Sequence, residues 1–193
     1  MKKTVMKRIL CLALSALLLA AVPTALAQQE SQKINLIEYF QGSDLDLSPY
    51  KGKALFLNFF TEWCPYCMQE MDSIKKVFET YSQDELQIIL VHSWSGEDAT
   101  NTERVKERFG LEEMTFFEDE TMSVTDLVGL QGFPTSIFAD KDGFVTQVTY
   151  ALEYEQMAKI VEEMGVAKAE NPPAEAEASP TPDSAPASQE GNP

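Results

Sequence analysis

Ala54-Leu-Phe-Leu-Asn-Phe-Phe60 runs directly into Thr61-Glu-Trp-Cys-Pro-Tyr-Cys67. The first seven residues are apolar except Asn58, a run of strand length with no polar alternation, which reads as a strand buried on both faces. Pro65 suits the first turn of a helix, where no N–H partner is lost. Residues 65–81 then place Met68, Met71, Ile74, Lys75, Phe78 and Tyr81 near helical spacing. The two cysteines therefore fall at a strand-to-helix junction. Unpaired backbone N–H groups at a helix start favour a thiolate, so Cys64 is expected to be the more acidic and more exposed thiol. A pair two residues apart can close a small disulfide and reopen it. The pattern points to thiol–disulfide exchange, with Cys64 attacking and Cys67, one turn into the helix, resolving the mixed disulfide.

Outward from this stretch, Leu86–Val91 reads as a second buried strand, and residues 100–110 as a helix ended by Gly110. Residues 115–117 form a short extended stretch and 122–128 a short helix. Strands over 135–139 and 144–149 flank Lys141-Asp-Gly143, a hairpin turn signal. A last helix spans 153–164. Upstream, Ile34–Phe40 reads as a strand with Asp44–Ser48 as its hairpin partner. The resulting order, β-β-β-α-β-α-β-β-α, contains a βαβ unit whose strands 54–60 and 86–91 are expected to be parallel, while the closing hairpin is antiparallel. The fold class that follows is α/β, a central mixed sheet flanked by helices, with an N-terminal β-hairpin extension.

The chain has 193 residues, 44% of them hydrophobic, and a formal charge of −16. Such acidity argues against nucleic-acid binding, which needs a basic face. Lys2, Lys3, Lys7 and Arg8 precede an apolar run, Ile9–Val22, and then Ala25-Leu-Ala27. This is the pattern of a secretory signal peptide over 1–27, the alternative being an uncleaved membrane anchor. Cleavage would remove four basic and no acidic residues, taking the charge from −16 to −20, and would remove Cys11. Cys64 and Cys67 would then be the only thiols, and their loop is too short for an entropic staple to matter. Residues 28–33 form a short polar linker. The domain is placed at 34–166. The tail 167–193 holds six of the ten prolines among Ala, Glu and Ser, a composition expected to be disordered.

Other candidates keep two readings on their residues alone. Glu70 follows Cys67 by three and shares its helix face. It is either the proton acceptor for Cys67 or an ordinary exposed helix glutamate. Pro134, in Gly132-Phe-Pro-Thr135, is either a cis proline or a trans proline opening a strand. Trp63 is a wall of the redox site or simple packing, and Asn58 points inward with partners or outward. His92 ends the 86–91 strand and is given no role. A tetrahedral zinc site needs four ligands, usually Cys or His, and beyond the two cysteines His92 is the one histidine, so no metal is expected.

Taken together, Leu57-Asn-Phe-Phe-Thr-Glu-Trp-Cys-Pro-Tyr-Cys67, Glu70, Gly132-Phe-Pro-Thr135, Asp140-Lys-Asp-Gly143 and Leu47-Ser-Pro-Tyr-Lys-Gly-Lys53 resemble the thioredoxin superfamily, in particular exported proteins of the TlpA/ResA type. The resemblance covers about 34–165. It implies a thioredoxin-like fold, a redox-active Cys64–Cys67 disulfide, Pro134 as a cis proline facing it, and Glu70 as a catalytic carboxylate. Trp63, Phe133 and Pro134 are the implied substrate-binding residues. The resemblance further implies an extracytoplasmic monomer without cofactor. Its function would be to reduce disulfides of exported proteins, apocytochrome c or oxidatively damaged proteins among them, and a membrane electron donor of the CcdA/DsbD type would re-reduce it. Asp72 departs from the proline often found two residues after the glutamate, and Pro65-Tyr66 between the cysteines is like the pair in glutaredoxins. Three other functions use the same residues: a disulfide oxidase or isomerase; a peroxidase, suggested by Thr61-x-x-Cys64 but lacking a proline at Leu57; and a non-enzymatic binding protein with a structural disulfide.

Overall fold

The computed structural model describes residues 33–94 and 102–170. The expected signal peptide with Cys11 and its cleavage site, all of the 28–33 linker except Lys33, and the tail from 171 lie outside the described residues.

The run Ala54–Phe60 forms β1, and all seven of its residues are buried. It lies at the centre of a five-stranded sheet of order β3-β2-β1-β4-β5, with β2 Leu86–Ser93, β3 Thr115–Asp119, β4 Thr135–Ala139 and β5 Val145–Thr149. β1 pairs parallel with β2, from Ala54↔Leu86 to Phe60↔His92, and antiparallel with β4. β5 pairs antiparallel with β4. The extended stretch expected over 115–117 is a full edge strand, parallel to β2.

Alternate residues of β1 face two separate cores. Ala54, Phe56 and Phe60, with Ile88 and Leu90, pack against α2 (Pro65–Thr80), α3 (Thr102–Phe109) and α5 (Tyr154–Glu163) through Met71, Ile74, Val105, Met157 and Val161. Leu55, Leu57 and Phe59, with Ile89 and Val91, pack against α1 (Leu36–Tyr39) and α4 (Ser123–Val128) through Leu36 and Val124. Cover on both faces explains why β1 shows no polar alternation. Buried Asp119 fastens α4 to the end of β3, its carboxylate accepting from the Val124 and Thr125 N–H groups and the Thr125 hydroxyl.

The N-terminal β-hairpin is not formed. Asn35 Oδ1 accepts from the N–H groups of Ile37 and Glu38, capping helix α1 where a strand over 34–40 was expected. Leu36 and Phe40 are both buried at a spacing of four, the helical period. Residues 44–48 belong to no strand, although Leu45 and Leu47 are buried. Their alternation reflects burial against the sheet rather than pairing. Backbone contacts anchor the segment to the β4–β5 turn: Leu36 N–H donates to Gly143 O (2.8 Å) and Val145 N–H to Ile34 O (2.8 Å). Gly143 has φ 87°, and a Cβ there would come within 2.9 Å of Asn35 Oδ1.

The domain also reaches past residue 166. Ser82 N–H donates to Ala167 O and Ala169 N–H to Thr80 O, both at 2.9 Å. This pairing uses only backbone, so the small-residue composition from 167 onward concealed it. Among the described residues, no helix is long and apolar enough to cross a membrane.

Candidate active site

β1 carries the chain up to Thr61, and a short turn then delivers Cys64 to the N-cap of α2 with Pro65 at the first helical position. The usual N-cap supplies a side-chain oxygen to orphan N–H groups. Here the cap is sulfur: the Cys67 N–H points at Cys64 Sγ, 3.2 Å away. Cys64 and Cys67 are joined in a disulfide, with 5.3 Å between their Cα atoms. Cys67 is fully buried, whereas Cys64 keeps 4% of its surface exposed, so a partner disulfide can approach only Cys64.

The Phe133–Pro134 peptide bond is cis. The loop it forms brings Phe133 O within 3.6 Å of Cys64 Sγ. The Phe133 ring meets Trp63 edge to face, centroids 6.2 Å apart. Trp63 and Tyr66 are 70% and 66% exposed, flanking the nearly buried disulfide with open aromatic surface. Cys64, Cys67, Trp63, Phe133 and Pro134 are thus gathered from two stretches nearly seventy residues apart in sequence.

Glu70 is buried, one helical turn beyond Cys67 on the inward face of α2. Its Oε1 accepts from the Leu152 N–H (3.0 Å) and its Oε2 from Asn58 Nδ2 (3.1 Å). Burial pushes its pKa up from 4.5 to about 7; the two hydrogen bonds oppose that rise and nearby Glu153 adds to it. A group with that pKa exchanges protons readily at neutral pH.

Asn58 faces the α2 side of the sheet, as its parity with Phe56 and Phe60 dictates. The amide donates to Ser136 Oγ (2.9 Å) as well as to Glu70, and its Oδ1 has no partner. Sequence reasoning passed over Ser136 and the Leu152 N–H. Only the parity of Asn58 hinted that a polar cluster lies beneath α2.

His92 is buried and stacked on Phe60, centroids 4.6 Å apart, with Nδ1 against Thr102 Oγ1 at 2.8 Å. Burial lowers its pKa, which favours the neutral ring. Among the described residues, no group of three or more His, Cys, Asp or Glu side chains is placed to hold a metal ion.

Residues 27–169 match the Redoxin family. The chain belongs to the Redoxin family. Among curated relatives of this Redoxin chain is the thiol-disulfide oxidoreductase ResA of Halalkalibacterium halodurans, 29% identical over 136 residues, covering 70% of this chain and 76% of ResA. ResA of Geobacillus thermodenitrificans is 30% identical over 125 residues, 65% and 70% of the two chains. Among solved structures, a secreted Mycobacterium tuberculosis disulfide oxidoreductase homologous to E. coli DsbE aligns with TM-score 0.52 at 20% identity, over 62% of this chain and 87% of its own. At that identity the likeness is one of fold, and the fold is thioredoxin-like.

Proposed function

We propose that this Redoxin protein is an extracytoplasmic thiol–disulfide oxidoreductase that reduces disulfides of exported proteins. The observation that carries the reading is the Cys64–Cys67 disulfide at the N-cap of α2, with one sulfur reachable and the other sealed. The names of the ResA relatives support the reaction class, and the N-terminal sequence pattern supports export.

In the reduced protein the Cys64 thiolate is stabilised by the Cys67 N–H and the helix N-terminus. It attacks one sulfur of the substrate disulfide, forming a Cys64–substrate bond and releasing the first substrate thiolate. The Cys67 thiol then gives its proton to the Glu70 carboxylate and attacks Cys64 Sγ. This releases the second substrate thiolate and leaves the Cys64–Cys67 disulfide. Two electrons pass to the substrate. A donor dithiol of the CcdA/DsbD kind, in the membrane, returns them and resets the pair. Trp63, Phe133 and Pro134 form the wall against which the substrate's sulfur aligns, and the protein acts as a monomer without cofactor.

Cys67→Ser tests the reading. The variant should accumulate a mixed disulfide on Cys64 with an oxidised protein substrate, and Cys64→Ser should accumulate none. Absence of any mixed disulfide in Cys67→Ser would remove the exchange mechanism. The reduction potential decides direction: a value near about −270 mV supports a reductase, and one near about −120 mV an oxidase using the same cysteines.

A further inference from the structure

One member of the polar cluster under α2, Asn58, takes no part in the exchange steps given above. Asn58 on β1 stands directly opposite Ser136 on β4 in the antiparallel register, and both residues are fully buried. The Asn58 Nδ2 group bridges two oxygens, donating to Glu70 Oε2 at 3.1 Å and to Ser136 Oγ at 2.9 Å. Each of its two hydrogens thus has an acceptor. Oδ1, at the other end of the same amide, has no partner. Buried polar groups are ordinarily satisfied, so an orphaned carbonyl beside a titrating carboxyl group calls for a reason.

The reason lies in what Glu70 becomes when it takes the Cys67 proton. An ionised carboxylate only accepts, whereas a protonated carboxyl group has one O–H to donate. The two Glu70 oxygens are held differently. Oε1 accepts from the Leu152 main-chain N–H at 3.0 Å, a donor that cannot turn into an acceptor, so Oε1 stays an acceptor in both states. The proton therefore belongs on Oε2, where it meets the Asn58 amide. Against an N–H group, that O–H would be one buried donor facing another. A half turn of the Asn58 amide puts Oδ1 in place of Nδ2, a group of nearly equal size. Oδ1 has two lone pairs, one for Glu70 and one for the Ser136 hydroxyl, which accepts in one arrangement and donates in the other. One end of the amide is unpartnered either way, so the charge on Glu70 selects the orientation.

We propose that Asn58 is a positioning residue for proton transfer: its amide reverses as Glu70 takes the Cys67 proton, holding the carboxylate through Nδ2 and the acid, protonated on Oε2, through Oδ1. This rests on the reading of Glu70 as proton acceptor in the exchange. A partner suited to both forms lets the carboxyl group take and give its proton without leaving its place. Among the described residues, Glu153 at the N-cap of α5 is the charged group that bears on Glu70. α2 itself contributes Cys67, held in the disulfide, while β1 and β4 contribute Asn58 and Ser136, which do not titrate.

The test is NMR on the oxidised full-length protein. It follows cross-relaxation between the Asn58 amide protons and the Ser136 β-protons beside the carboxyl carbon shift of Glu70. From about pH 9 to about pH 5, across the Glu70 value of about 7, the contact should weaken several-fold with the same midpoint as the carboxyl shift. In Glu70→Gln the side chain must turn its carbonyl to the Leu152 N–H and its amide to Asn58, so the weak contact should hold at every pH. A strong contact that persists while Glu70 titrates, or a strong contact in Glu70→Gln, would overturn the proposal. Kinetics give an independent readout with dithiobis(nitrobenzoate) as the disulfide: attack by Cys64 releases one thionitrobenzoate and resolution by Cys67 the second. Asn58→Leu fills the same space without hydrogen bonds and should slow the second release about tenfold relative to the first, the equivalent of about one hydrogen bond. Equal slowing of both would make Asn58 a structural residue and overturn the proposal; if that variant does not fold, the NMR outcome decides. A Glu70 carboxyl that stays ionised down to about pH 5 would strike at its role as acceptor and take this proposal with it, leaving the Cys64–Cys67 exchange standing.

Discussion

Replacing Glu70 by Gln isolates the cost of keeping a carboxyl group under α2. Folding raises its pKa from 4.5 to about 7. A carboxyl whose folded pKa is raised stabilises the fold while protonated. That contribution is complete below pH 4.5 and is lost as pH rises through 7. The shift of about 2.5 units corresponds to about 3 kcal/mol, of which about 2.5 kcal/mol falls between pH 5 and pH 8. Glutamine keeps the shape, and its carbonyl can still accept from the Leu152 N–H. Its amide group would then meet Asn58 Nδ2, but Asn58 can turn to present Oδ1, which has no partner now. Glu70→Gln should therefore cost little at pH 5 and equal or exceed the wild type at pH 8. The assay is urea unfolding of the oxidised proteins at several pH values, comparing the two curves so that all other titrating groups cancel. Stability difference curves that run parallel from pH 5 to pH 8 would refute the raised pKa, and with it the case for Glu70 as proton acceptor. In stopped-flow exchange, the same variant should slow resolution by Cys67 about a hundredfold or more and leave the attack by Cys64 unchanged.

Asn58→Ala removes a donor to Glu70 and to Ser136, and should destabilise the protein by about 1–3 kcal/mol. Because that donor holds the Glu70 pKa down, the pH at which exchange activity breaks should move upward; a break at the wild-type pH would show that Asn58 does not tune Glu70. Phe138→Ala empties a fully buried site where Phe138 stacks on Phe56 at 4.4 Å, and should lower unfolding free energy by about 3–5 kcal/mol. A loss under about 1 kcal/mol in denaturant titration would mean that the centre of the sheet repacks.

The parts of this molecule that were legible from the chain are those whose cause is local. Seven consecutive residues at 54–60 with one polar member have the length and composition of a strand covered on both faces. The position of Pro65 and the spacing of Met71 and Ile74 marked the helix that follows. Lys141-Asp-Gly143 marked the closing hairpin because its glycine must take positive φ. Local pattern failed where a distant partner decided the outcome. Ile34–Phe40 has the apolar content of a strand, but it pairs with a neighbour only at Asn35↔Phe144, and the Asn35 cap turns the residues that follow into a helix. Ala167–Ala169 lack any side chain that would announce a core, yet their backbone pairs with the end of α2.

The same division runs through the site. Sequence alone determined that two thiols sit at the start of a helix behind a buried strand, because that arrangement spans only fourteen residues of chain. The helix start also marked Cys64 as the more exposed sulfur; tertiary structure decided that Phe133 O stands 3.6 Å from it and that Glu70 is buried. The Leu152 N–H bonded to Glu70 lies 82 residues away, and Ser136 lies 78 residues from Asn58. Desolvation depends on everything packed around a group, and no spacing within α2 contains that information.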